Sequence, residues 1–460
     1  VSLTAQTYWA EYAWLDGQVV PDVVIVVATD GRIKAVRPGS PAQHPAGSVT
    51  LRGLTVPGLA NAHSHAFHRA LRGIVQSGAS ANPSDGGAPD SFWTWRTLMY
   101  EVADRLTPDS YFELARAVYA EMAMAGITCV GEFHYLHHAP GGSRYGNPNA
   151  MGEALIAAAA EAGIRITLLD TCYLSSGFGA EPDQHQLRFS DGTADAWAER
   201  VSALKGDGNT RIGAAIHSVR AVPVDQLATV SGWAEGQAAP LHVHLSEQTA
   251  ENDACVEAHG FTPTRLLADH GVLGPRTTAV HATHLTPGDI RLLGHSATGV
   301  CMCPTTERDL ADGIGPAAQL SQAGSPLSLG SDSHAVIDIL EEARAMELDE
   351  RLHTRTRGHW TAAQLLRAAT TDGHAALGWG ADTGRIEVGA LADLTTIALD
   401  SVRTAGPPPR LGAETAIFAA TNADVRHTVV GGRHVVRDGA HQLVPRVPEA
   451  LAAAIAALHG

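Results

Sequence analysis

From Leu54 onward, short apolar runs recur along the chain, each followed by a longer stretch rich in alanine and leucine. Eight such runs stand out, at residues 54–62, 126–133, 165–173, 211–217, 240–244, 277–281, 298–303 and 326–330. A strand that is apolar along its whole length is covered on both faces, which is the pattern of a parallel sheet between helices. Eight strand–helix units in succession predict closure into a TIM-like (β/α)8 barrel. The two ends of the chain read differently. Residues 23–27 are a β-branched run, Asp30-Gly31 is a hairpin turn signal, and residues 32–36 read as the returning strand. Strand-like segments come back at 384–389, 392–397, 428–430 and 434–436. The ends are therefore expected to form one small β-sandwich domain. Residues 1–55 supply its first part, 56–383 the barrel, and 384–460 its second part with a terminal helix. A Gly/Ser/Asn/Pro/Asp-rich loop at 77–90 is long enough to point to mobility or to a role at the active site.

Composition agrees with a large α/β protein and narrows its partners. A chain of 460 residues with 45% hydrophobic and 17% charged residues has room for a barrel and a second domain. The formal net charge of −16 disfavours nucleic acid and anionic lipid as partners. It leaves open an anionic small molecule, provided local arginines reverse the field. No apolar run approaches the ~20 residues of a membrane span, and no basic segment with an apolar core opens the sequence, so no signal peptide is expected. The five cysteines make an odd count with no CxxC pair, which argues against a disulfide framework. Cys301 and Cys303 read as small buried hydrophobes. A cytoplasmic protein is expected.

A barrel carries its chemistry at the C-terminal ends of its strands, and titratable residues gather at those positions. Strand 1 of the barrel ends in His63-Ser64-His65, strand 4 in His217-Ser218-Val219-Arg220, and strand 5 in His244-Leu245-Ser246-Glu247. Strand 6 ends in His281 and strand 8 in Gly330-Ser331-Asp332. His63 and His65, two apart in an extended segment, point the same way. With His244 and Asp332 they make a plausible mononuclear zinc site. Glu247, three residues after His244, is placed to carry protons to a leaving nitrogen. His281 is placed to polarise or orient the attacking oxygen, and Asp332 can be both metal ligand and proton acceptor.

These residues together resemble the mononuclear deaminase branch of the amidohydrolase superfamily, as does the later Gly389-Ala390-Leu391-Ala392-Asp393-Leu394 string. Binuclear members bridge two metals with a carboxylated lysine. Here the two lysines are Lys34, before the barrel, and Lys205, in the loop leading into strand 4, so one zinc per chain is expected. A narrower resemblance is to formimidoylglutamate deiminases. It rests on His63-Ser64-His65-Ala66-Phe67, Ser91-Phe92-Trp93-Thr94-Trp95-Arg96, Gly131-Glu132-Phe133-His134-Tyr135-Leu136-His137-His138, His217-Ser218-Val219-Arg220 and Asp312-Gly313-Ile314. That family implies zinc-dependent hydrolysis of N-formimidoyl-L-glutamate to N-formyl-L-glutamate and ammonia in histidine degradation.

The resemblance also implies that Arg96, Tyr135, His217 and Arg220 hold the glutamate moiety, and a dicarboxylate does call for arginine forks. His68 stands where glutamine is expected in the family's string. It is carried over as a substrate-binding residue whose imidazole both donates and accepts, in a different geometry. Trp93 and Trp95 read as packing residues, His137 and His138 as loop or supporting groups, and His334 as a support for Asp332 or a turn cap. The expected partner is a small-molecule dicarboxylate, and the expected assembly is a homodimer. The rival within the branch is a deaminase of a related formimidoyl amino acid or of a nucleobase. The rival outside it is a catalytically dead barrel used as a scaffold, which would be expected to have lost some of His63, His65, His244, Glu247, His281 and Asp332.

Overall fold

The computed structural model describes residues 5–39, 45–77 and 92–459. From residue 78 on, the loop expected at 77–90 lies outside them. Two eight-stranded sheets organise the rest. The first draws on both chain ends: β1 (Gln6–Leu15), β2 (Gln18–Val27), β3 (Ile33–Pro38) and β4 (Val49–Pro57) come before the second sheet in sequence. The second sheet is β5 (Leu59–Ser64), β6 (Ile127–His134), β7 (Arg165–Cys172), β8 (Thr210–Ile216), β9 (Leu241–Leu245), β10 (Thr277–His281), β11 (Gly299–Met302) and β12 (Leu327–Leu329). The first sheet is completed by β13 (Leu394–Ile397), β14 (Val425–Val430), β15 (Arg433–Arg437) and β16 (Ala440–His441).

The second sheet is the expected barrel. Its strands run parallel in sequence order from β5 to β12, and helices lie between them. The strands are buried almost throughout, which accounts for their unbroken apolar runs. Closure comes just beyond β12, where Ser64 and Asp332 form a parallel bridge. There the Asp332 N–H donates to the His63 carbonyl at 3.1 Å. Gly330 permits the approach, because a Cβ at that position would lie 2.7 Å from the His63 Cβ and 2.9 Å from its carbonyl oxygen.

The first sheet is mixed, in the order β16-β15-β14-β13-β4-β1-β2-β3, with β1 and β4 parallel. Tyr8, Ile25, Leu51, Leu394 and Val429 form its own core. Two sequence expectations are corrected. The run at 54–62 is two strands: 54–57 belong to β4 of the mixed sheet and 59–62 to β5 of the barrel. Both pieces are buried, so apolarity runs across the junction. Pro57 has no N–H to continue the ladder, and a Cβ on Gly58 would strike Thr128 at 2.2 Å. The segment 384–389 is a turn rather than a strand, with Gly384 and Gly389 at φ +91° and +94°. The terminal helix spans Val447–His459.

Candidate metal centre and active site

Barrel closure and the candidate site coincide. The bridge at Asp332 sets that carboxylate against the two histidines at the end of β5. Asp332 Oδ1 lies 3.2 Å from His63 Nε2 and 3.4 Å from His65 Nε2. His244, in β9, brings its Nε2 to 3.1 Å from that of His63. The neighbouring strands fix two of the rings. His65 donates from Nδ1 to the Phe133 carbonyl at 2.9 Å, and His244 donates from Nδ1 to the His217 carbonyl at 2.9 Å. A carbonyl only accepts, so both protons sit on Nδ1 and both Nε2 atoms carry lone pairs.

Burial pushes the pKa of His63 down and those of His65 and His244 well down, so these imidazoles are neutral ligands. Burial alone would raise Asp332. The hydrogen bond and charge of His63, with the charges of His281 and His65, instead hold it well below the usual carboxylate range. Three nitrogens and an anionic oxygen thus converge without enough protons to satisfy one another. A cation resolves that arrangement. Tetrahedral zinc with ligands at about 2.0–2.1 Å has edges of about 3.3–3.4 Å between donors, close to the 3.1–3.4 Å seen here. The donor set therefore fits a zinc ion, with the Phe133 and His217 carbonyls orienting the His65 and His244 rings as a metal site requires.

His281 lies beside this cluster. Its Nε2 is 3.9 Å from Asp332 Oδ2 and 3.8 Å from Glu247 Oε1, and its Nδ1 is 3.5 Å from Glu307 Oε1. Burial disfavours its charge, but Glu247, Glu307 and Asp332 outweigh that and raise its pKa well above the ordinary value. Burial raises Glu247 to about 6; Asp332 and Glu251 push the same way, against His281 and Arg220. Ser246, His281, Ala282, Asp332 and His334 all have left-handed backbones, with φ between +39° and +67°. Such strain costs about 1–3 kcal/mol per residue and concentrates where side chains must be aimed.

A cavity of ≈ 190 Å³ opens onto the cluster and gathers every other predicted site residue. His65, His244, Glu247, His281 and Asp332 line it together with His68, Arg96, Tyr135, His217 and Arg220. Of the eleven predicted residues, His63 alone lies behind this lining, fully buried. Arg96 comes from the helix Phe92–Arg105 of the same chain. It donates to the hydroxyls of Tyr100 at 2.6 Å and Tyr173 at 3.3 Å. Arg220 donates from Nε to Glu251 at 3.2 Å, while its buried Nη1 has no hydrogen-bond partner among the described residues. The cavity wall also carries the aromatic rings of Trp95, Tyr100, Tyr173 and Phe189, with Met99, Leu310, Gln248 and Glu251 among the remaining residues. Trp95 packs against the main hydrophobic core, as expected, and also faces the cavity, its ring 5.1 Å from that of His68. The side chain of Trp93 is outside the described residues. Tyr135 OH and His68 Nε2 lie 3.2 Å apart.

A supporting network was legible in the sequence only at His334. Asn61 and Ser331 exchange two hydrogen bonds, of 2.7 and 2.9 Å. His334 bridges Ser331 Oγ at 2.9 Å and Ser64 Oγ at 3.1 Å. Ser64 Oγ also donates to Glu132 at 2.8 Å, and Glu132 accepts the Ala66 N–H at 2.7 Å. Burial raises the Glu132 carboxyl to about 7, against those hydrogen bonds. The network clamps the first and last barrel strands together around the ligands. One signal was available: Asn61 shares strand parity with His63 and His65. Glu251 was also missed, although it lies four residues after Glu247.

A second group, His134, His137 and Asp170, also brings its donor atoms within 4.8 Å of one another. There Asp170 accepts from Arg200 at 2.8 and 2.9 Å and from the Trp197 indole at 2.9 Å. His137 Nε2 donates to the Thr171 carbonyl at 2.8 Å, and His138 pairs with Asp191 at 3.1 Å. These histidines are supporting groups, as expected. The cysteines are free and buried, Cys301 and Cys303 among them.

The family model described as the amidohydrolase family matches residues 54–435. Formimidoylglutamate deiminase of Pseudomonas aeruginosa is 35% identical over 94% of this chain and 95% of its own length. 8-Oxoguanine deaminase of the same organism is 31% identical over 90% of each. Among solved structures, an amidohydrolase from Brucella melitensis superposes with a TM-score of 0.89 at 31% identity, covering 99% of this chain and 100% of that one. An adenosine deaminase from Xanthomonas campestris, described with bound zinc, superposes with a TM-score of 0.81 at 25% identity, covering 99% and 97%.

Proposed function

The chain belongs to the amidohydrolase family and is a hydrolytic C–N enzyme, and on that premise we propose that it deiminates N-formimidoyl-L-glutamate, giving N-formyl-L-glutamate and ammonia, as a step of histidine degradation. One observation carries the substrate reading: Arg96 and Arg220 line the same cavity as Glu247, His281 and Asp332. A chain of net charge −16 repels a dianion at long range, so cations inside the cavity have to reverse that field. The P. aeruginosa deiminase at 35% identity supports the same choice.

His63, His65, His244 and Asp332 would hold one zinc ion. Neither lysine stands at the C-terminal end of a barrel strand to bridge a second metal, since Lys34 is in β3 and Lys205 precedes β8. When bound, the metal supplies Lewis acidity for activating water near neutral pH. Arg96 and Arg220 bind the two carboxylates, with Tyr135, His217 and His68 closing around the rest of the substrate. Asp332 accepts a proton from the attacking water. His281 stabilises the oxygen as it adds to the formimidoyl carbon. Glu247 delivers a proton to the terminal nitrogen, which leaves as ammonia while the glutamate nitrogen keeps its bond to carbon.

A second reading, deamination of a planar base, is favoured by the aromatic wall of Trp95, Tyr100, Tyr173 and Phe189 and by the 31% identical 8-oxoguanine deaminase. Ammonia release from formimidoyl-glutamate, formimidoyl-aspartate, formimidoyl-glycine and common nucleobases separates the two. Formimidoyl-glutamate is expected to lead the panel. A nucleobase turned over faster than every formimidoyl diacid would overturn the reading.

A further inference from the structure

We propose that Glu251 is a positioning residue that joins substrate anchoring to proton delivery. Its carboxylate holds Arg220 in its anion-binding orientation and at the same time holds the strained turn that aims Glu247. The anchoring half rests on the function proposed above. Glu251 lies in the first turn of the helix Thr249–His259, and it is buried. Its two oxygens serve different elements. Oε2 accepts Nε–H of Arg220 at 3.2 Å, and Oε1 accepts the backbone N–H of Ser246 at 3.3 Å.

Each contact falls where geometry has to be imposed. The backbone at Arg220 is tied down without Glu251: Ser175 Oγ donates to the Arg220 carbonyl at 2.9 Å, and Leu174 N–H donates to that of Ala221 at 2.7 Å. What these bonds leave free is the guanidinium. Glu251 takes it at Nε, the edge nearest the stem, and the buried Nη1 beside the cavity has no hydrogen-bond partner among the described residues. A guanidinium held at one edge presents its remaining donors in a fixed plane, which is the preorganisation that two-point carboxylate recognition requires. On the other side, Ser246 has φ +51° and separates His244 and Leu245 from Glu247. A left-handed non-glycine residue persists only where its surroundings hold it, and the Glu251 carboxylate supplies a bond to that residue's own N–H.

Simple charge balance makes the opposite forecast. If Glu251 merely neutralised Arg220, removing its charge would strengthen the hold on an anionic substrate. If it positions Arg220, removal weakens that hold, and it also slows chemistry through the Ser246 turn.

The test is steady-state kinetics on formimidoyl-glutamate for Glu251→Gln, Glu251→Asp, Arg220→Met and the Arg220→Met/Glu251→Gln double variant, with metal content and melting temperature measured for each. Glu251→Gln offers one accepting oxygen to two donors. It is expected to raise KM at least about tenfold and to lower kcat at least about tenfold, with metal retained. Glu251→Asp keeps the charge with a shorter reach, and an intermediate effect is expected; if the glutamine variant fails to fold, this one supplies the readout. In the double variant KM is expected to be no worse than in Arg220→Met alone, while the kcat loss of Glu251→Gln persists. A lowered KM in Glu251→Gln, values within twofold of wild type, or fully additive KM effects would overturn the proposal. If Arg220→Met is damaged and Glu251→Gln is silent, only this inference falls. If Arg220→Met itself leaves KM unchanged, the dicarboxylate reading falls, and the anchoring role of Glu251 with it.

Discussion

Among the described residues, two regions of the barrel bring His and Asp donor atoms within 4.8 Å of one another in groups of three, one around His63, His65 and Asp332 and one at His134, His137 and Asp170, and their chemistry differs. In the His63/His65/His244/Asp332 group, backbone carbonyls hold the Nδ1 protons of His65 and His244 and leave their Nε2 lone pairs turned inward, that of His65 3.4 Å from Asp332 Oδ1 and that of His244 3.1 Å from His63 Nε2. In the His134/His137/Asp170 group, the positive charge is already present. Arg200 is bidentate to Asp170 and also donates to Asp191 and Asn149. Its guanidinium stands where a cation would have to go. A ligand count cannot separate the two groups. What separates them is where the protons and the existing cations sit.

The largest effect should come from breaking the first group. Asp332→Asn removes a ligand, a proton acceptor and the charge that stabilises His281. Turnover is expected to fall by at least about 10⁴-fold. Elemental analysis should find about one zinc per wild-type chain and less in the variant. Two tightly held metals in the wild type would sink the comparison, because the second group would be the place for the extra ion.

The matching change in the second group should act on stability instead. Asp170→Asn leaves the buried Arg200 short of its counter-charge, at a cost of about 3–5 kcal/mol, with metal content unchanged. The effect has a pH signature. Burial would raise the pKa of Asp170, but Arg200 and His137 pull it below the ordinary value. A depressed folded-state pKa stabilises the fold above the unfolded pKa of about 3.9, and that stabilisation is lost as pH falls further. The melting-temperature gap between wild type and Asp170→Asn should therefore be widest near neutrality and narrow on acidification. A variant that loses zinc in proportion to its lost stability would blur the distinction between the groups.

Glu247 belongs to the first region without being one of its ligands. Glu247→Gln is expected to keep the metal and lower kcat about 10²-fold or more. Unchanged turnover in the metal-replete variant would remove it from the mechanism. The arginines repeat the contrast on the scale of a single residue. Every Arg200 nitrogen has an acceptor, whereas Arg220 keeps a buried Nη1 unpaired among the described residues. Arg220→Met and Arg96→Met are each expected to lower kcat/KM for formimidoyl-glutamate at least ~30-fold, the cost of leaving a bound carboxylate unpaired. Losses below about fivefold in both would reduce them to ion pairs of the weak surface kind.

What could be read from the chain alone follows the same division. The barrel was legible because doubly buried strands are continuously apolar, and the candidate site residues because they stand at strand ends with fixed spacing, as in His63-Ser64-His65 and His244-Leu245-Ser246-Glu247. Apolarity failed at Pro57-Gly58, where two buried strands of different sheets abut and the pattern has no seam. It failed again at 384–389, where alternation marked a glycine-bounded turn. The supporting residues were mostly hidden for another reason. His334 could be suspected from its place two residues after Asp332, but its bond to Ser64, 270 residues away, could not. Glu132 and Glu251 owe their importance to partners distant in sequence, or to a backbone N–H that no residue type announces: Glu132 lies 68 residues from Ser64. Arg200 and Arg220 look alike in a sequence. Only the packed structure shows which one has spent its donors.

The smallest expected effect lies at the border of the first group. His68 reaches within 4.8 Å of the donor atoms of His65 and Asp332, so by distance it could count as a further ligand. Its contacts place it elsewhere. Its Nε2 pairs with Tyr135 OH at 3.2 Å, and its buried Nδ1 has no hydrogen-bond partner among the described residues. Burial pushes its pKa down to about 3, so the ring stays neutral at working pH and, like an amide, offers one donor and one acceptor. His68→Gln should therefore keep its metal and stay within about fivefold of wild type in kcat/KM, a difference of about 1 kcal/mol. His68→Ala leaves the buried Tyr135 hydroxyl only its weak bond to Met99 Sδ at 3.8 Å, at a cost of about 1 kcal/mol, and should show that loss mainly in KM. If His68→Gln shifts preference from formimidoyl-glutamate towards formimidoyl-aspartate, the imidazole sets the depth of the cavity. If His68→Gln instead sheds its zinc, His68 is a ligand, and proximity rather than the placement of protons would have been the better guide to this metal centre.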